Sequence, residues 1–357
     1  MKILIGMPSK DSWGGPISSE PPFVDALRAA GAEVVDEVYV YGDKEKPTPL
    51  PERVRRVVAT AFRFRKLLKT QSFDVIHLNT AFDMKTILRD SFSLFVMRPG
   101  NARVFLKLHG SEAERFVDCG FVTRKLIGYL ERRVDGFGVH TREELGNFKK
   151  LGFDEQKFSF VKNAVEIERP ATTADSRRTG RLRLLFVARF IPAKGLLESI
   201  RACALLRENG RDVELVAVGE GEVRRDAERL VEELGLADNV RFTGYIPETE
   251  VTRHFFESDV FVFPTRHPEG FPNVLFKAVA AGLPIVTTRI RAAADYLNEP
   301  ANCLYTSQDP GQIAERIAQL IENKQLREAM SGSNLELGKS LLPAEIAREF
   351  LAIYAKL

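Results

Sequence analysis

His267-Pro268-Glu269-Gly270-Phe271-Pro272-Asn273-Val274-Leu275-Phe276-Lys277-Ala278-Val279-Ala280-Ala281-Gly282-Leu283-Pro284 lies between two apolar runs, Asp259 to Phe263 before it and Pro284 to Thr288 after it. That order reads as strand, loop, helix, strand. Glu269 falls in the loop, where Gly270 permits close backbone approach. Pro272 suits a first helical turn, since an N–H there has no carbonyl to meet in any case. The N–H groups of that turn, near Asn273 and Val274, together with the helix dipole, make an anion site. Glu269 and the helix start are therefore expected to face one cavity able to hold a phosphate and a hydroxyl-rich group together.

Around this stretch the alternation of strands and helices continues in both directions. Upstream, the second half carries strand-like runs at Leu182 to Ala188, Val213 to Val218 and Val240 to Thr243, and Cys303 to Tyr305 follows downstream. Helical patterns lie between them, and the last, Ala344 to Leu357, sets Ile346, Phe350, Ile353 and Leu357 on one face. The first half alternates in the same way, with strands at Lys2 to Met7, Glu33 to Val40, Asp74 to Asn79, Arg103 to His109, Asp135 to His140 and Phe158 to Lys162. Glu166 to Arg181 is polar, rich in Thr, Ser and Pro, and lacks an apolar period, which marks a linker. Two successive βα arrays predict two doubly wound α/β domains, with the ligand at the carboxyl ends of the strands. The cleft between two such domains is the expected site. The expected boundaries are 1–165, a linker 166–181, 182–342, and a C-terminal helix 343–357, whose return to the first domain is implied only by resemblance to a known family.

Bulk properties set the class. The 357 residues are 44% apolar and 28% charged, as in soluble globular proteins. A net charge of +3 gives no reason to expect nucleic acid as a partner. Cys119, Cys203 and Cys303 are odd in number and widely spaced, which suggests neither a disulfide framework nor a metal site and points to a reducing cytoplasm. The opening Met1 to Gly6 reads as a buried strand rather than a secretory signal. No apolar run approaches the roughly 20 residues of a membrane span. Glu52 to Lys69 is a basic helical pattern carrying seven Lys or Arg residues among interleaved Val, Phe and Leu. It is either a solvated surface face or a peripheral contact with an anionic membrane or acceptor.

Several loops carry candidate chemistry. Arg189 and Lys194 sit in Phe186-Val187-Ala188-Arg189-Phe190-Ile191-Pro192-Ala193-Lys194-Gly195, between a strand end and a helix start. Either they are two exposed charges or both reach a diphosphate, Arg as a fork and Lys as a point charge. Gly219-Glu220-Gly221 follows the next strand, where glycine is common in turns and also lets a nucleotide approach. Gly244-Tyr245-Ile246-Pro247 is placed to flank a base. In the first half, Gly14-Gly15 is a tight turn or a ligand-facing loop. His109, at a strand's carboxyl end beside Gly110, is either structural or faces the crevice.

Taken together these stretches resemble the retaining glycosyltransferases of family 4, with the GT-B fold of two Rossmann-like domains facing across a cleft. The likeness is densest from about residue 184 to 288, in the Arg189/Lys194 segment, Phe242-Thr243-Gly244-Tyr245, and Glu269-Gly270-Phe271-Pro272-Asn273-Val274. Early matches are Gly14-Gly15, Asp74-Val75-Ile76-His77 and His109-Gly110. The resemblance implies that a UDP-, GDP- or ADP-sugar binds the second domain and that its sugar passes to a glycan or lipid-linked acceptor with the anomeric configuration kept. Arg189 and Lys194 would neutralise the diphosphate, Glu269 would bind sugar hydroxyls, and His109 would contact the donor sugar. Gly15, Gly219, Gly221, Tyr245, Gly270, Phe271, Pro272, Asn273 and Val274 would complete the donor site. No resident metal or cofactor is implied. The family's second carboxylate, eight positions after Glu269, is here Lys277, a donor-only side chain. Lys277 then contacts a phosphate or acidic donor, or the ribose finds another acceptor such as Glu220, or donor binding is lost. The remaining alternatives are a non-catalytic sugar- or nucleotide-binding relative and a nucleotide-sugar epimerase of the same fold.

Overall fold

The computed structural model describes residues 1–9, 15–39, 49–170 and 181–357. Gly14, Pro47 and most of the expected linker lie outside the described residues. The chain divides into two compact units, Met1–Ala164 with Leu342–Leu357, and Val165–Leu341.

Unit 1 is built on β1 (Lys2–Met7), α1 (Gly15–Ala29), β2 (Glu33–Val38), α2 (Leu50–Thr70), β3 (Val75–Phe82), α3 (Met84–Met97), β4 (Arg103–Ser111), α4 (Phe121–Arg133), β5 (Gly136–Val139), α5 (Arg142–Lys150) and β6 (Phe158–Phe160). Its six strands are all parallel, in the order β2-β1-β3-β4-β5-β6. Such strands are covered on both faces, so they read as near-continuous apolar runs rather than alternating ones. In β1, Leu4 packs toward α2 to α5, while Ile3 and Ile5 pack toward α1 and the C-terminal helix. The Asp83 side chain caps α3, and Thr141 with Glu144 forms a capping box at the start of α5. α3 is an addition to the sequence reading, which left 84–97 unassigned.

Unit 2 contains β7 (Leu182–Val187), α6 (Leu196–Glu208), β8 (Val213–Val218), α7 (Arg224–Glu233), β9 (Val240–Gly244), α8 (Glu248–Glu257), β10 (Val260–Phe263), α9 (Asn273–Ala280), β11 (Ile285–Thr288), α10 (Arg291–Tyr296), β12 (Leu304–Thr306), α11 (Pro310–Glu322) and α12 (Lys324–Lys339). Its sheet is parallel in the order β12-β11-β10-β7-β8-β9. Leu184 and Phe186 face one core with α6, α7 and α11, and Leu185 and Val187 face the other with α8, α9 and α10. In both sheets every βα loop emerges at the carboxyl edge.

The C-terminal helix α13 (Pro343–Tyr354) belongs to unit 1. Phe350 stacks near Phe23 of α1 with ring centroids 4.7 Å apart, and Tyr354 meets His77 of β3 through its hydroxyl. Beneath these rings lies an ion pair. Lys107 Nζ is 2.6 Å from Glu20 Oε1, and both side chains are 0% exposed. Asn79 donates to Glu20 Oε2 at 3.0 Å and to the Gly6 carbonyl at 3.1 Å. Lys107 Nζ also lies 5.3 Å from the Phe23 and Phe350 ring centres. The pair thus joins α1 to β4 in a setting where neither charge reaches water.

Two outcomes are expected from this core. Lys107→Met leaves the Glu20 carboxylate buried without its ammonium and should lower the unfolding free energy by about 3–5 kcal/mol in urea denaturation, whereas Lys107→Met with Glu20→Leu should recover most of the loss. Burial, followed by the Lys107 charge, lowers both His77 and His140 from 6.5 to about 3. As pH falls below 6.5 the unfolded chain takes up protons that the folded chain refuses, so stability is lost from about 6.5 toward 3. The urea midpoint should therefore drop between about pH 7 and pH 5, and the drop should shrink in His140→Gln.

Candidate functional site

The carboxyl edge of unit 2 gathers the loops that the sequence singled out. After β7 the chain runs through Arg189 and Lys194 to Gly195, whose φ of +81° and approach to the Pro264 carbonyl exclude a side chain. The Ala193 carbonyl then becomes a hub. It accepts from the Arg266 N–H at 2.8 Å, the Gln308 amide at 3.0 Å and the Thr265 hydroxyl at 3.3 Å. The loops after β7, β10 and β12 are thereby fixed to one another. This arrangement carries Lys194 Nζ onto Glu269 Oε1, an ion pair in which Lys194 is almost wholly buried and Glu269 partly exposed.

The electrostatics around that pair are one-sided. Arg189 is exposed, and no acidic side chain among the described residues pairs with it. Burial, and then the Arg189 charge, pull the Lys194 ammonium from 10.5 down to about 7, while the Glu269 carboxylate in contact with it opposes that shift. His267 is lowered below its ordinary value by burial and by Lys194, Arg189 and Arg291. Arg291, at the start of α10, donates to the Pro268 carbonyl at 3.1 Å from a buried position with φ of +36°. Lys194 thus contacts the Glu269 carboxylate, and Arg189, Arg291 and the His267 imidazole are coupled electrostatically within the same group of loops. Arg291 and His267 were not singled out from the sequence. Their one local cue is placement beside strand ends at the same edge.

The remaining expected residues divide by role. Gly270 and Pro272 are buried in the loop, and Pro272 sits immediately before the first residue of α9. Asn273 and Val274 open that helix, where N–H groups have no preceding helical carbonyl. Phe271 turns inward and stacks on Phe276 at 3.8 Å between centroids, so its ring anchors the loop. Tyr245 stands exposed in the loop after β9. A Cβ on Gly219 would lie 2.0 Å from the Ala188 carbonyl oxygen, and one on Gly221 would lie 2.5 Å from that of Phe190. These glycines therefore let two loops close on each other, and the Phe190 N–H donates to the Glu220 carbonyl at 2.8 Å across the seam. A cavity of about 690 Å³ beside β9 and α8 is lined in part by Phe242, Thr243 and Ile246 of the stretch expected to flank a base, together with Arg241 and His254, and takes in none of Arg189, Lys194 and Glu269.

Lys277 has a partner. Its ammonium pairs with Glu248 at the start of α8, with Lys277 9% and Glu248 58% exposed at the side chain. Glu220, the acceptor considered from sequence, pairs with Arg224 at 3.4 Å and lies 3.1 Å from where a Cβ on Gly244 would be. Glu248 is the carboxylate that the sequence reading missed, because it lies 29 positions from Lys277 on a different helix.

In unit 1, Gly15 is the first residue of α1 rather than part of a loop, and its carbonyl accepts from the Ser18 hydroxyl at 3.0 Å. His109 lies at the carboxyl end of β4 as expected, but its side chain is 3% exposed. Its Nε2 is 2.8 Å from Asn79 Oδ1. The Asn79 amide nitrogen is already committed to Glu20 and Gly6, so its oxygen accepts and His109 Nε2 carries the proton. Burial, then Lys107, His140 and His77, push His109 well below its ordinary value and keep it neutral. A Cβ on the adjoining Gly110 would meet nothing within 4 Å.

With that geometry in place, comparison with known proteins gives a consistent answer. The family model described as "Glycosyl transferases group 1" matches residues 170–334, and the one described as "Glycosyltransferase Family 4" matches residues 22–169. The amylovoran biosynthesis glycosyltransferase AmsK of Erwinia amylovora is 30% identical over 147 residues, which is 40% of this chain and 33% of that relative. The chain thus spans about a third of the length of that relative. The phosphatidyl-myo-inositol mannosyltransferase of Mycobacterium leprae is 24% identical over 363 residues, 97% of this chain and 94% of the relative. Among solved structures, HepE of Anabaena in complex with UDP-glucose superposes with a TM-score of 0.76 at 16% identity, covering 100% of both chains. That likeness places both units in the two-domain α/β fold called GT-B. The two family models together run along most of the sequence, and the chain belongs to the group 1, family 4 glycosyltransferases.

Proposed function

We propose that the chain moves a sugar from a nucleotide-sugar donor held on unit 2 to a glycan or lipid-linked acceptor, keeping the anomeric configuration and using no metal ion. The observation that carries this reading is the Lys194–Glu269 pair inside the cluster of Arg189, Arg291 and His267. A diphosphate needs cations, and a sugar needs a carboxylate to accept from its hydroxyls. Here the two are held together on rigid loops. As the bond from the anomeric carbon to the diphosphate oxygen breaks and the acceptor hydroxyl oxygen takes that carbon, negative charge grows on the departing diphosphate, whose oxygen takes up the proton lost by the acceptor hydroxyl. Arg189, Lys194 and the N–H groups at the start of α9 stabilise it. The donor contacts assigned to Gly219, Gly221, Tyr245, Gly270 and Phe271 are main-chain contacts, apart from the exposed Tyr245 ring. The family resemblance assigns His109 to the donor sugar, and the open space beside it is at Gly110. The same resemblance assigns Gly15 to the donor site.

The relatives' names support the acceptor class, one being a polysaccharide biosynthesis enzyme and the other acting on a phosphatidylinositol. HepE, solved with UDP-glucose, supports the donor class. Lys277 is the feature that favoured a non-catalytic relative, and its charge is answered by Glu248. We assign Glu248 the ribose-accepting role that a carboxylate at position 277 would otherwise fill.

A thermal-shift series with UDP, GDP, ADP and their sugar conjugates is expected to give stabilisation by at least one nucleotide, and no shift with any of them would remove the reading. Arg189→Ala and Lys194→Ala should each lower transfer by about 10²-fold or more with the fold retained, as judged by circular dichroism. Lys194 lies at about 7 before ligand arrives, and a bound diphosphate favours its charged form. Binding should therefore take up protons near neutral pH, and affinity should fall as pH rises above about 7, read by calorimetry in buffers of different ionisation enthalpy. Lys277→Glu should lower stability by about 1–3 kcal/mol, since it sets two carboxylates against each other, and adding Glu248→Lys should restore most of it in urea denaturation.

A further inference from the structure

The outer surface of unit 1 shows a second feature, independent of the donor site. α3 buries Ile87, Ser91, Leu94 and Met97 against the sheet. Its opposite face is apolar as well. Met84, Leu88, Phe92 and Phe95 recur at helical spacing on the solvent side, and Phe95 is 63% exposed. A soluble helix normally turns charged residues outward, and a contiguous apolar stripe marks an interaction surface.

α3 is the middle of three neighbouring helices, flanked by α2 and α4 on the same face of the sheet. Val54 and Phe62 are exposed on the outward face of α2, interleaved with Arg55, Lys66 and Lys69. The first turn of α4 presents Phe121 and Val122, and Phe121 is 75% exposed with Lys125 Nζ 5.2 Å from its ring centre. Acids are scarce across all three helices. Glu52 is ion-paired to Arg56, Asp90 is buried against Arg89, and Glu131 is close to Lys157. Arg63 of α2 pairs with Glu37 at 3.4 Å. Apolar side chains interleaved with the exposed cations Arg55, Lys66, Lys69 and Lys125 are complementary to anionic headgroups lying over acyl chains. Three helices side by side offer a broad face rather than a groove, which suits a planar partner.

We propose that the outer face of α2, α3 and the start of α4 is a docking surface for an anionic lipid bilayer. The apolar centre of that surface is the α3 stripe. The basic run Glu52 to Lys69 supplies charge at its margin. Each of these helices follows a strand and runs antiparallel to it, so Val54, Met84 and Phe121 lie toward the sheet's carboxyl edge, the edge that also carries His109. Among the described residues no helix is long and apolar enough to cross a membrane, so the contact is one of lying on the surface.

The surface stands or falls apart from sugar transfer, and the experiment keeps the two separate. The full chain is sedimented with vesicles of phosphatidylcholine plus phosphatidylglycerol, and with phosphatidylcholine alone. Binding is expected to the first and not the second, and should weaken as salt is raised. Leu88→Ser with Phe95→Ser, and separately Lys66→Glu with Lys69→Glu, should each weaken it by about tenfold or more. All four side chains are exposed, so melting temperature and any nucleotide-induced shift should stay as in the parent chain. Three results would overturn the proposal: no binding to the anionic vesicles, binding undiminished in either double variant, or a solution dimer that Leu88→Ser with Phe95→Ser converts to monomer. Loss of the nucleotide shift with vesicle binding intact would instead count against the transferase reading alone.

Discussion

Parallel strands cannot be joined by a short turn, so each connection must cross a face of the sheet and return to the starting edge. That constraint is what the rest of this molecule depends on. It forces every βα loop of unit 2 to one edge, where Arg189, Lys194, Glu269 and Arg291 meet although they are spread over about a hundred residues of sequence. It also forces helices onto both faces, so strand after strand is buried on both sides. Loops crowded at one edge then need glycine where backbones touch. Gly219 and Gly221 against Ala188 and Phe190, and Gly195 against Pro264, are three such places.

The same burial explains what could be read from sequence. Strands covered on both faces appear as short apolar runs, and those runs located every described strand of both sheets. Helices with one polar face were equally visible. α3 was not, because its outer stripe is apolar and its inner face includes Asp90, Ser91 and Ser93, so the usual contrast between faces is blurred. Its one clear local sign was Asp83 followed by Thr86, a cap at the helix start.

Candidate site residues were legible where a charged side chain sits next to a strand end and hidden where a partner comes from elsewhere in the chain. Arg189, Lys194 and Glu269 could be found by position. Glu248, which answers Lys277, could not, and neither could Glu20, which answers Lys107 from 87 positions away. A lysine inside the apolar run of β4 was the available hint that a buried acid must exist. Glycines at 219 and 221 stand out in the sequence, and the structure gives them a packing reason that sequence could not separate from ligand approach.

The contact between Lys194 and Glu269 has one more consequence. In the proposed transferase the pocket carries its own counter-ion before any ligand arrives. An entering diphosphate does not meet a bare cation. It must exchange with a carboxylate already in place, and the displaced carboxylate then lacks a donor. A sugar hydroxyl provides one. Simple phosphate can replace Glu269 but leaves it unsatisfied, whereas a molecule joining a diphosphate to a sugar supplies both replacements in one step. The pair therefore acts as a test of composition, favouring ligands that carry an anion and hydroxyls at a fixed separation over those that carry either alone.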